Sequence, residues 1–477
     1  MATVRPSLAE IRGVLARDSS FRSIPLSREI FSDTRTPIET LKILKNVSDH
    51  CFILESVEDA KKWGRYTFLG FEPTLTISGK TGDPTKEIRE TIADYKAPRF
   101  DYLPPFTGGL VGYFSYDFLK YTEPKLKLTS PDDEGFNAVD LMLFDKVIAY
   151  DNFRQKIVVI VNIKTDDLEA NYEKGTAELD RLIGLLTAGT PAEDMPGKVM
   201  SDFRYLFDEP AFCKMVEKAK RHIVEGDIFQ AVLSNRADAD FEGSLFNTYR
   251  VLRTKNPSPY MFYFGSPEQE IAGASPETLV KLTDDKLFTF PLAGTRPRGT
   301  TDEKDAALER ELLSDEKELA EHNMLVDLGR NDLGRISEFG SVKVEKYLSV
   351  ERFSHVMHIG STVSGDIREG FDAMDAVSAV LPAGTLSGAP KLRAMEIIDS
   401  LEQNKRGIYG GAIGYLDFTG NLDCCIAIRI AYKRGGKVYV RSGAGIVADS
   451  IPANEYRECV NKSKAVIESL LESVEIE

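Results

Sequence analysis

The sequence predicts an α+β fold built on largely antiparallel sheets. Many predicted strands in the second half follow one another directly, and helices do not alternate strictly with them, which favours α+β over a doubly wound sheet. In the first half, two apolar runs flank Asp151-Asn152, a pair typical of a hairpin turn. Hydrophobic residues make up 42% of the 477 residues, which is ample for a globular core.

The first half of the chain mixes strands with a helix. Short apolar runs bounded by turn residues indicate strands, and glycines within one of them indicate a bulge or a close backbone contact. A stretch with apolar residues at helical spacing follows them. The predicted strands span 52–56, 66–70, 108–114, 139–150 and 156–163, and the predicted helix spans 168–187.

Residues 187–202 form a predicted linker, because they are rich in proline, glycine and acidic residues and have little hydrophobic pattern. The linker divides the chain into an N-terminal region, 1–190, and a C-terminal region, 203–477. In the second region, helices are predicted at 209–226, 244–253, 302–328, 371–381, 390–402 and 453–474, and strands at 228–237, 260–264, 270–274, 278–283, 286–291, 341–346, 354–364, 410–418, 423–432 and 437–441.

Charge and cysteine content exclude several function classes. The formal net charge of −15, without a block of basic residues, argues against nucleic acid or an anionic membrane surface as a partner. Five scattered cysteines without a C-x-x-C motif indicate reduced thiols and a cytoplasmic location. The first residues lack the apolar core of a signal peptide, and the apolar run 157–163 is far too short to span a bilayer.

A glycine-rich turn at 384–391 is the most informative stretch. Its glycines allow a ligand to approach the main chain, Thr385 and Ser387 offer hydroxyls, and Lys391 adds a positive charge. This composition suits a cradle for a small carboxylate. An ordinary helix–loop–helix turn explains the same residues.

Two pairs of glutamates lie three residues apart on predicted helices, so each pair shares one helix face. Brought together, the pairs would supply only oxygen ligands, which suits Mg²⁺ rather than Zn²⁺. Paired glutamates more often lie on solvated helix faces without binding a metal. The pairs are Glu318 with Glu321 and Glu455 with Glu458.

Several single residues could also carry chemistry. Arg429 lies in the apolar run 424–431 and would need an anionic partner there, either a structural carboxylate or a substrate. Glu277 follows a Ser-Pro turn and could be a general acid. His358 lies on a predicted strand, where a histidine is more often a core residue than a catalyst. The sequence has no G-x-S-x-G elbow, H-E-x-x-H motif or Walker A motif.

Six motifs, in order, resemble those of the large subunits (component I) of anthranilate synthases, in the chorismate-utilising enzyme family. The resemblance runs from about residue 50 to residue 465 and implies two facing antiparallel sheets flanked by helices, formed by both halves of the chain. The motifs are NPSPYMFYF, PLAGTRPRG, DEKELAEHNMLVDLGRNDLG, GTLSGAPK, YGGAIGYLDFTGNLDCCIAIR and GAGIVADSIPANEY.

The resemblance implies chorismate as the substrate and a role for each matching residue. The four glutamates would bind Mg²⁺, which holds the ring carboxylate. Glu277 would protonate the departing ring hydroxyl, and His358 would assist the later elimination of pyruvate. The implied substrate-binding residues are Gly384, Thr385 and Lys462 near the ring, and Tyr409, Arg429, Gly443, Ala444 and Gly445 at the pyruvyl carboxylate.

Two positions separate the family's reactions. Relatives that make isochorismate have a lysine where this chain has Gln230, and relatives that make aminodeoxychorismate have one where it has Ala293. Without either lysine, the site leaves room for ammonia, which favours anthranilate. The alternatives are an aminodeoxychorismate synthase or another chorismate-utilising sibling, and a catalytically silent tryptophan-sensing paralogue.

The resemblance also implies regulation and a partner. Two segments match those that bind L-tryptophan as a feedback inhibitor. None of the cysteines has the setting of an activated nucleophile, so a separate glutamine amidotransferase subunit (component II) is implied as the source of ammonia. The tryptophan segments comprise Leu54, Glu55 and Ser56 in the N-terminal region, and Pro259, Tyr260 and Met261.

Overall fold

A computed structural model describes residues 3–56, 64–79, 82–193, 195–353 and 356–476. His355, on the strand predicted over 354–364, therefore lies outside the described residues. The helices are α1 Leu8–Arg17, α2 Pro37–Lys45, α3 Thr85–Asp94, α4 Leu168–Ala188, α5 Glu209–Val224, α6 Phe246–Lys255, α7 Asp302–Ser314, α8 Glu316–Gly334, α9 Ala373–Val380, α10 Lys391–Glu402 and α11 Pro452–Glu472.

The strands alternate irregularly with these helices. They are β1 Ser23–Phe31, β2 Cys51–Glu55, β3 Tyr66–Phe71, β4 Leu75–Ile77, β5 Gly109–Phe114, β6 Val139–Phe144, β7 Lys146–Asp151, β8 Lys156–Lys164, β9 Lys198–Val199, β10 Arg204–Tyr205, β11 Gln230–Glu242, β12 Tyr260–Gly265, β13 Gln269–Ser275, β14 Thr278–Thr283, β15 Lys286–Thr289, β16 Leu292–Pro297, β17 Lys343–Arg352, β18 Val356–Asp366, β19 Gly388–Ala389, β20 Ala412–Asp417, β21 Leu422–Ile426, β22 Ile430–Arg434 and β23 Lys437–Ile446.

The strands form two sheets, and the pairings between named strands are antiparallel. The first sheet runs β1-β8-β7-β3-β2-β12-β13-β22-β23-β11-β10, with β9 and β19 also paired to β11. The second runs β16-β18-β15-β14-β21-β20-β5-β6-β4, with β17 paired to β18. Both sheets contain strands from before and after residues 187–202, so the segment predicted as a linker does not separate two sheets.

An aromatic-rich core lies between the two sheets. Phe52 and Phe262 from the first sheet share it with Tyr113 and Tyr415 from the second. Helices α2, α4, α6 and α11 contribute to a second core with the first sheet, and α8 and α9 contribute to a third with the second sheet. This arrangement confirms the predicted α+β class of two facing antiparallel sheets flanked by helices. Within the described residues, no helix is both long and apolar enough to cross a membrane.

Three predicted elements are wrong because the chain breaks inside them. The strand predicted over 139–150 is two strands in different sheets, and the chain passes between them at Asp145. The helix predicted over 302–328 is two helices, because Asp315 caps α8 by accepting from the backbone N–H groups of Lys317 and Glu318. The strand predicted over 423–432 is interrupted at Arg429, whose φ of 52° cannot continue an extended strand.

Candidate active site

Glu277 and Thr385 meet although 108 residues separate them. Glu277 lies in the turn between β13 and β14, and its backbone carbonyl accepts from the N–H of Ile426 at 2.9 Å. The hydroxyl of Thr385 donates to Glu277 Oε2 at 3.1 Å. Burial raises the pKa of Glu277, while the Thr385 hydrogen bond and the charge of Arg429 act in the opposite direction. This carboxyl therefore holds its proton to higher pH than a solvated glutamate.

The glycine-rich turn is packed more tightly than the cradle predicted from the sequence. A Cβ on Gly384 would lie 2.0 Å from Leu328 Cδ2, so a larger residue there would force the Leu328 side chain of α8 to move. Lys391 does not supply a free charge, because its ammonium donates to Asp332 and to the Val380 carbonyl, each at 2.8 Å. The Ser387 hydroxyl is buried and donates to the Ala383 carbonyl. Among the three predicted donors, only Thr385 turns to another candidate residue.

His358 lies on β18 in a single tautomer. Its Nδ1 lies 2.8 Å from the carbonyl of Gly294, and a carbonyl can only accept, so Nδ1 carries the proton. Burial lowers the pKa of His358, which favours the neutral ring. Nε2 is then left with a lone pair that can accept a proton.

Strands β11 and β23 carry four predicted residues, Gln230 and Gly443 to Gly445, and two more, Tyr409 and Lys462, lie against them. A Cβ on Gly443 would lie 2.9 Å from the Tyr409 hydroxyl, and a Cβ on Gly445 would lie 2.9 Å from Gln230 Nε2. The ammonium of Lys462 donates to the Gly443 carbonyl at 3.1 Å. The absence of a Cβ thus lets a phenol and an amide lie close to the glycine backbone, and an ammonium binds the carbonyl of Gly443. Ala444, between the glycines, is fully buried.

Arg429 is not on a buried strand, as the sequence predicted, but in the connection between β21 and β22. Its side chain is exposed, and the structure gives it no ion pair within the described part of the chain. Although part of the side chain reaches solvent, the protein packed around the guanidinium desolvates it and lowers the pKa of Arg429, while the charge of Glu277 opposes that effect. Of the two partners that the sequence allowed, this environment suits a ligand carboxylate better than a structural one.

The four glutamates lie near the starts of α8 and α11. Desolvation raises the pKa of Glu321, and the neighbouring carboxylates of Glu318 and Glu458 raise it further. Desolvation also raises the pKa of Glu455, with a further contribution from Glu458. Mutual repulsion of this kind is relieved by a cation, and the donors are all oxygen, so these residues fit a hard divalent ion.

Basic residues occupy part of this acidic cluster. Lys462 pairs with Glu458 at 2.7 Å, and Arg296 approaches Glu318 at 3.4 Å. In the parts of the chain that the structure describes, the one group of three metal-ligating side chains within 4.8 Å of one another is elsewhere, at His222, Glu225 and Asp227. The four glutamates are therefore neighbours rather than a closed ligand shell.

The two segments predicted to bind tryptophan are adjacent strands. In the β2–β12 pairing, Glu55 lies opposite Met261. The Glu55 carboxylate accepts from the Tyr249 hydroxyl and from Arg253 Nε. Ser56 Oγ is buried and has no hydrogen-bond partner among the described residues.

The other residues of the two predicted tryptophan segments are Leu54, Pro259 and Tyr260. Leu54 is half-buried and lies opposite Phe262. The Tyr260 hydroxyl donates to Asp423 at 2.8 Å, and Pro259 lies in the loop that precedes β12.

Sequence reasoning missed the residues that hold this site in place. Arg296 was not singled out, although it contacts the glutamate cluster, and neither was the Gly294 carbonyl that orients His358. The buried pair Arg406 and Glu402 was also missed. The only signal for it was a charged residue directly before the glycine-rich stretch at 407–411.

Similar proteins carry consistent names. A family model described as chorismate binding enzyme matches residues 49–468. The chain is 45% identical to "Anthranilate synthase component 1" of Acetivibrio thermocellus over 99% of both chains. It is 44% identical to the protein of the same name from Pseudomonas aeruginosa, over 96% of this chain and 97% of the other.

Solved structures agree with this assignment. Anthranilate synthase component I from Streptococcus pneumoniae TIGR4 superposes with a TM-score of 0.76 at 40% identity, covering 86% of this chain and 93% of the other. The menaquinone-specific isochorismate synthase MenF of Escherichia coli shares the fold at 19% identity, with a TM-score of 0.71 over 97% and 99% of the two chains. With a family match across most of its length and full-length relatives above 40% identity, this chain belongs to the chorismate-binding enzyme family.

Proposed function

We propose that this chain is the large subunit of an anthranilate synthase, which converts chorismate and ammonia to anthranilate, pyruvate and water. The observation that carries the proposal is the pairing of Glu277 with Thr385 beside the exposed cation Arg429. An acid with a raised pKa next to an unpaired guanidinium suits a substrate that has both a hydroxyl to lose and a carboxylate to anchor.

The chain's own residues divide the chemistry between them. Glu277 gives its proton to the ring hydroxyl, which leaves as water while ammonia adds to the ring. The added nitrogen then loses one proton, which replaces the proton given by Glu277. His358 accepts the ring proton at Nε2 as the C–O bond between the ring and the enolpyruvyl group breaks, and the departing enolpyruvate takes up one proton to become pyruvate. Tyr409, Arg429 and the Gly443–Gly445 backbone hold the pyruvyl carboxylate, with Thr385 and Lys462 near the ring.

A Mg²⁺ ion would be held by the glutamates of α8 and α11 and would offset the charge of the ring carboxylate. The raised pKa values of Glu321 and Glu455 support this assignment, since each carboxylate is close to others, and Glu458 on α11 acts on Glu321 on α8. Lys462 would have to release Glu458, because the two are paired at 2.7 Å.

The choice of nucleophile rests on Gln230 and Ala293. Gln230 is buried against the Gly445 backbone, and Ala293 is buried on β16. Neither side chain can attack the ring or deprotonate water, so ammonia is left as the nucleophile. Glutamine would supply it through a separate amidotransferase subunit.

Tryptophan would inhibit the enzyme by binding beside the paired strands β2 and β12, next to Ser56. The buried Ser56 Oγ without a partner supports a ligand at this point, because an unpaired buried hydroxyl is costly. On this view residues 1–190 contribute the regulatory strand, residues 203–477 carry the chorismate site, and the two regions share both sheets.

The test is to incubate the purified chain with chorismate, Mg²⁺ and an ammonium salt. We expect the fluorescence of anthranilate to appear and equimolar pyruvate to accumulate. Chromatography of the products distinguishes an anthranilate synthase from the related isochorismate and aminodeoxychorismate synthases, since isochorismate and aminodeoxychorismate both retain the enolpyruvyl group. Either of these as the main product would contradict the proposal.

A further inference from the structure

One buried arginine ties together two backbone segments that are distant in sequence. Arg406 follows α10 and is only 2% exposed. Its Nη1 donates to the Leu386 carbonyl at 2.6 Å, and its Nη2 donates to the Val232 carbonyl at 2.5 Å. Glu402, at the end of α10, accepts from Nε at 3.0 Å and from Nη2 at 2.5 Å. The guanidinium therefore has a partner on each side.

The two tied segments are walls of the candidate active site. Leu386 directly follows Thr385, whose hydroxyl donates to Glu277. Val232 lies opposite Gly445 in the β11–β23 pairing. Arg406 is buried and binds the carbonyls of Leu386 and Val232, so it can affect the reaction only through the positions of these two segments.

Glu402 extends the same contact along β11. Its Oε1 accepts from the backbone N–H of Ser234 at 2.7 Å and from the Ser234 hydroxyl at 3.1 Å. Ser234 lies opposite Gly443, and Arg441 on β23 approaches Glu402 Oε2 at 3.6 Å. A buried charge network whose members are bonded to one another fixes separations closely, because losing one member leaves another charge unpaired.

We propose that Arg406 is a positioning residue, which holds the turn carrying Thr385 and the strand facing Gly443–Gly445 at the separation that the reaction needs. The inference rests on the proposed function. A planar guanidinium reaches two carbonyls and a carboxylate at once, whereas a lysine ammonium is a single point of charge.

The test compares the same substitution, arginine to lysine, at two buried positions of the purified chain. Arg406→Lys keeps a charge for Glu402 but cannot span both carbonyls. Arg236→Lys is the matched control, because Arg236 lies on β11 and pairs with Glu134 and Asp238 but makes no hydrogen bond to Leu386, Val232 or Glu402. With ammonium as the nitrogen source, we expect kcat/KM for chorismate to fall about 100-fold in Arg406→Lys, as for a displacement of about 1 Å. Arg236→Lys should stay close to wild type.

A second variant separates positioning from folding. The double variant, which combines Arg406→Met with Glu402→Gln, leaves no unpaired charge in this pair. Its glutamine still offers an oxygen that accepts from Ser234, so the variant should fold and still lose activity. A folded Arg406 variant with wild-type kcat/KM overturns the proposal, as does an equal loss in Arg236→Lys. If neither Arg406 variant folds, as judged by thermal unfolding, Arg406 is a folding determinant and the positioning role is overturned. An inactive wild-type chain would instead refute the proposed function.

Discussion

At the scale of single residues, the proton on Glu277 is what the proposed chemistry needs most. Glu277→Gln preserves the shape and the hydrogen bond from Thr385 but removes the transferable proton. We expect kcat with ammonium to fall about 10²- to 10⁴-fold, the usual contribution of a general acid, with little change in KM for chorismate. Steady-state anthranilate fluorescence measures both constants.

The pH profile supplies the control for this prediction. Because burial raises the pKa of Glu277, the acid is fully protonated below that pKa and is lost as pH rises through it. The rate per molecule of free NH₃ should therefore decline on the alkaline side in the wild type. A variant Glu277→Gln with full kcat, or a wild-type profile without this limb, would rule out Glu277 as the acid.

The metal prediction also concerns single residues. Glu458→Gln removes one charged ligand, so we expect activity to be abolished while the melting temperature without added ion stays near that of wild type. Glu468→Gln is the matched control, since Glu468 lies on the same helix and also pairs with a lysine four residues away. Titration with Mg²⁺ and with a chelator provides the measurement. Full activity in excess chelator would refute a metal requirement.

At the scale of elements, the β2–β12 pair is the unit of the predicted regulation. Tryptophan should inhibit the wild type, and changes at Ser56 or Met261 should relieve inhibition while catalysis is largely retained, since both lie away from the glutamate cluster. Chorismate should weaken tryptophan binding by the same factor by which tryptophan weakens chorismate binding. Ser266→Ala, in the turn after β12, should leave inhibition unchanged. Absence of tryptophan binding in calorimetry would contradict the regulatory role.

The sequence predicted most elements but not where the chain turns inside an apolar run. Strands 139–150 and 423–432 read as continuous because nothing in their composition marks Asp145 or Arg429 as a break. Both breaks are set by tertiary structure, since the chain passes between sheets at the first and carries a guanidinium into the cleft at the second. Motif resemblance identified the candidate site residues, but not the engagement of Lys391 by Asp332, which depends on packing between distant segments.

At the scale of the whole molecule, the chain alone should use ammonium but not glutamine. All five cysteines are reduced, and four of them are buried. Burial raises the pKa of Cys459 to about 11, and it also raises the pKa of Cys213 and Cys425, so these thiols stay protonated at neutral pH. None of these three thiols is therefore available as a thiolate nucleophile to release ammonia from an amide.

The measurement is anthranilate formation with either nitrogen source. With ammonium the rate should rise with pH below the pKa of Glu277, where the acid keeps its proton while more NH₄⁺ becomes NH₃, because only the neutral form has a lone pair. Glutamine-dependent activity of the pure chain would refute the need for a partner. Below the pKa of Glu277, a rate that follows total ammonium regardless of pH would refute ammonia as the nucleophile.

The interleaving of both halves in each sheet has a consequence for how the protein is made. Leu110 on β5 pairs with Leu416 on β20. Strand β5 therefore cannot complete its pairing until β20, which is synthesised about 300 residues later, has left the ribosome. At ordinary synthesis rates that wait is on the order of tens of seconds. During it, β5 has an unpaired edge and its aromatic face is uncovered, which are the features that chaperones bind and that drive aggregation.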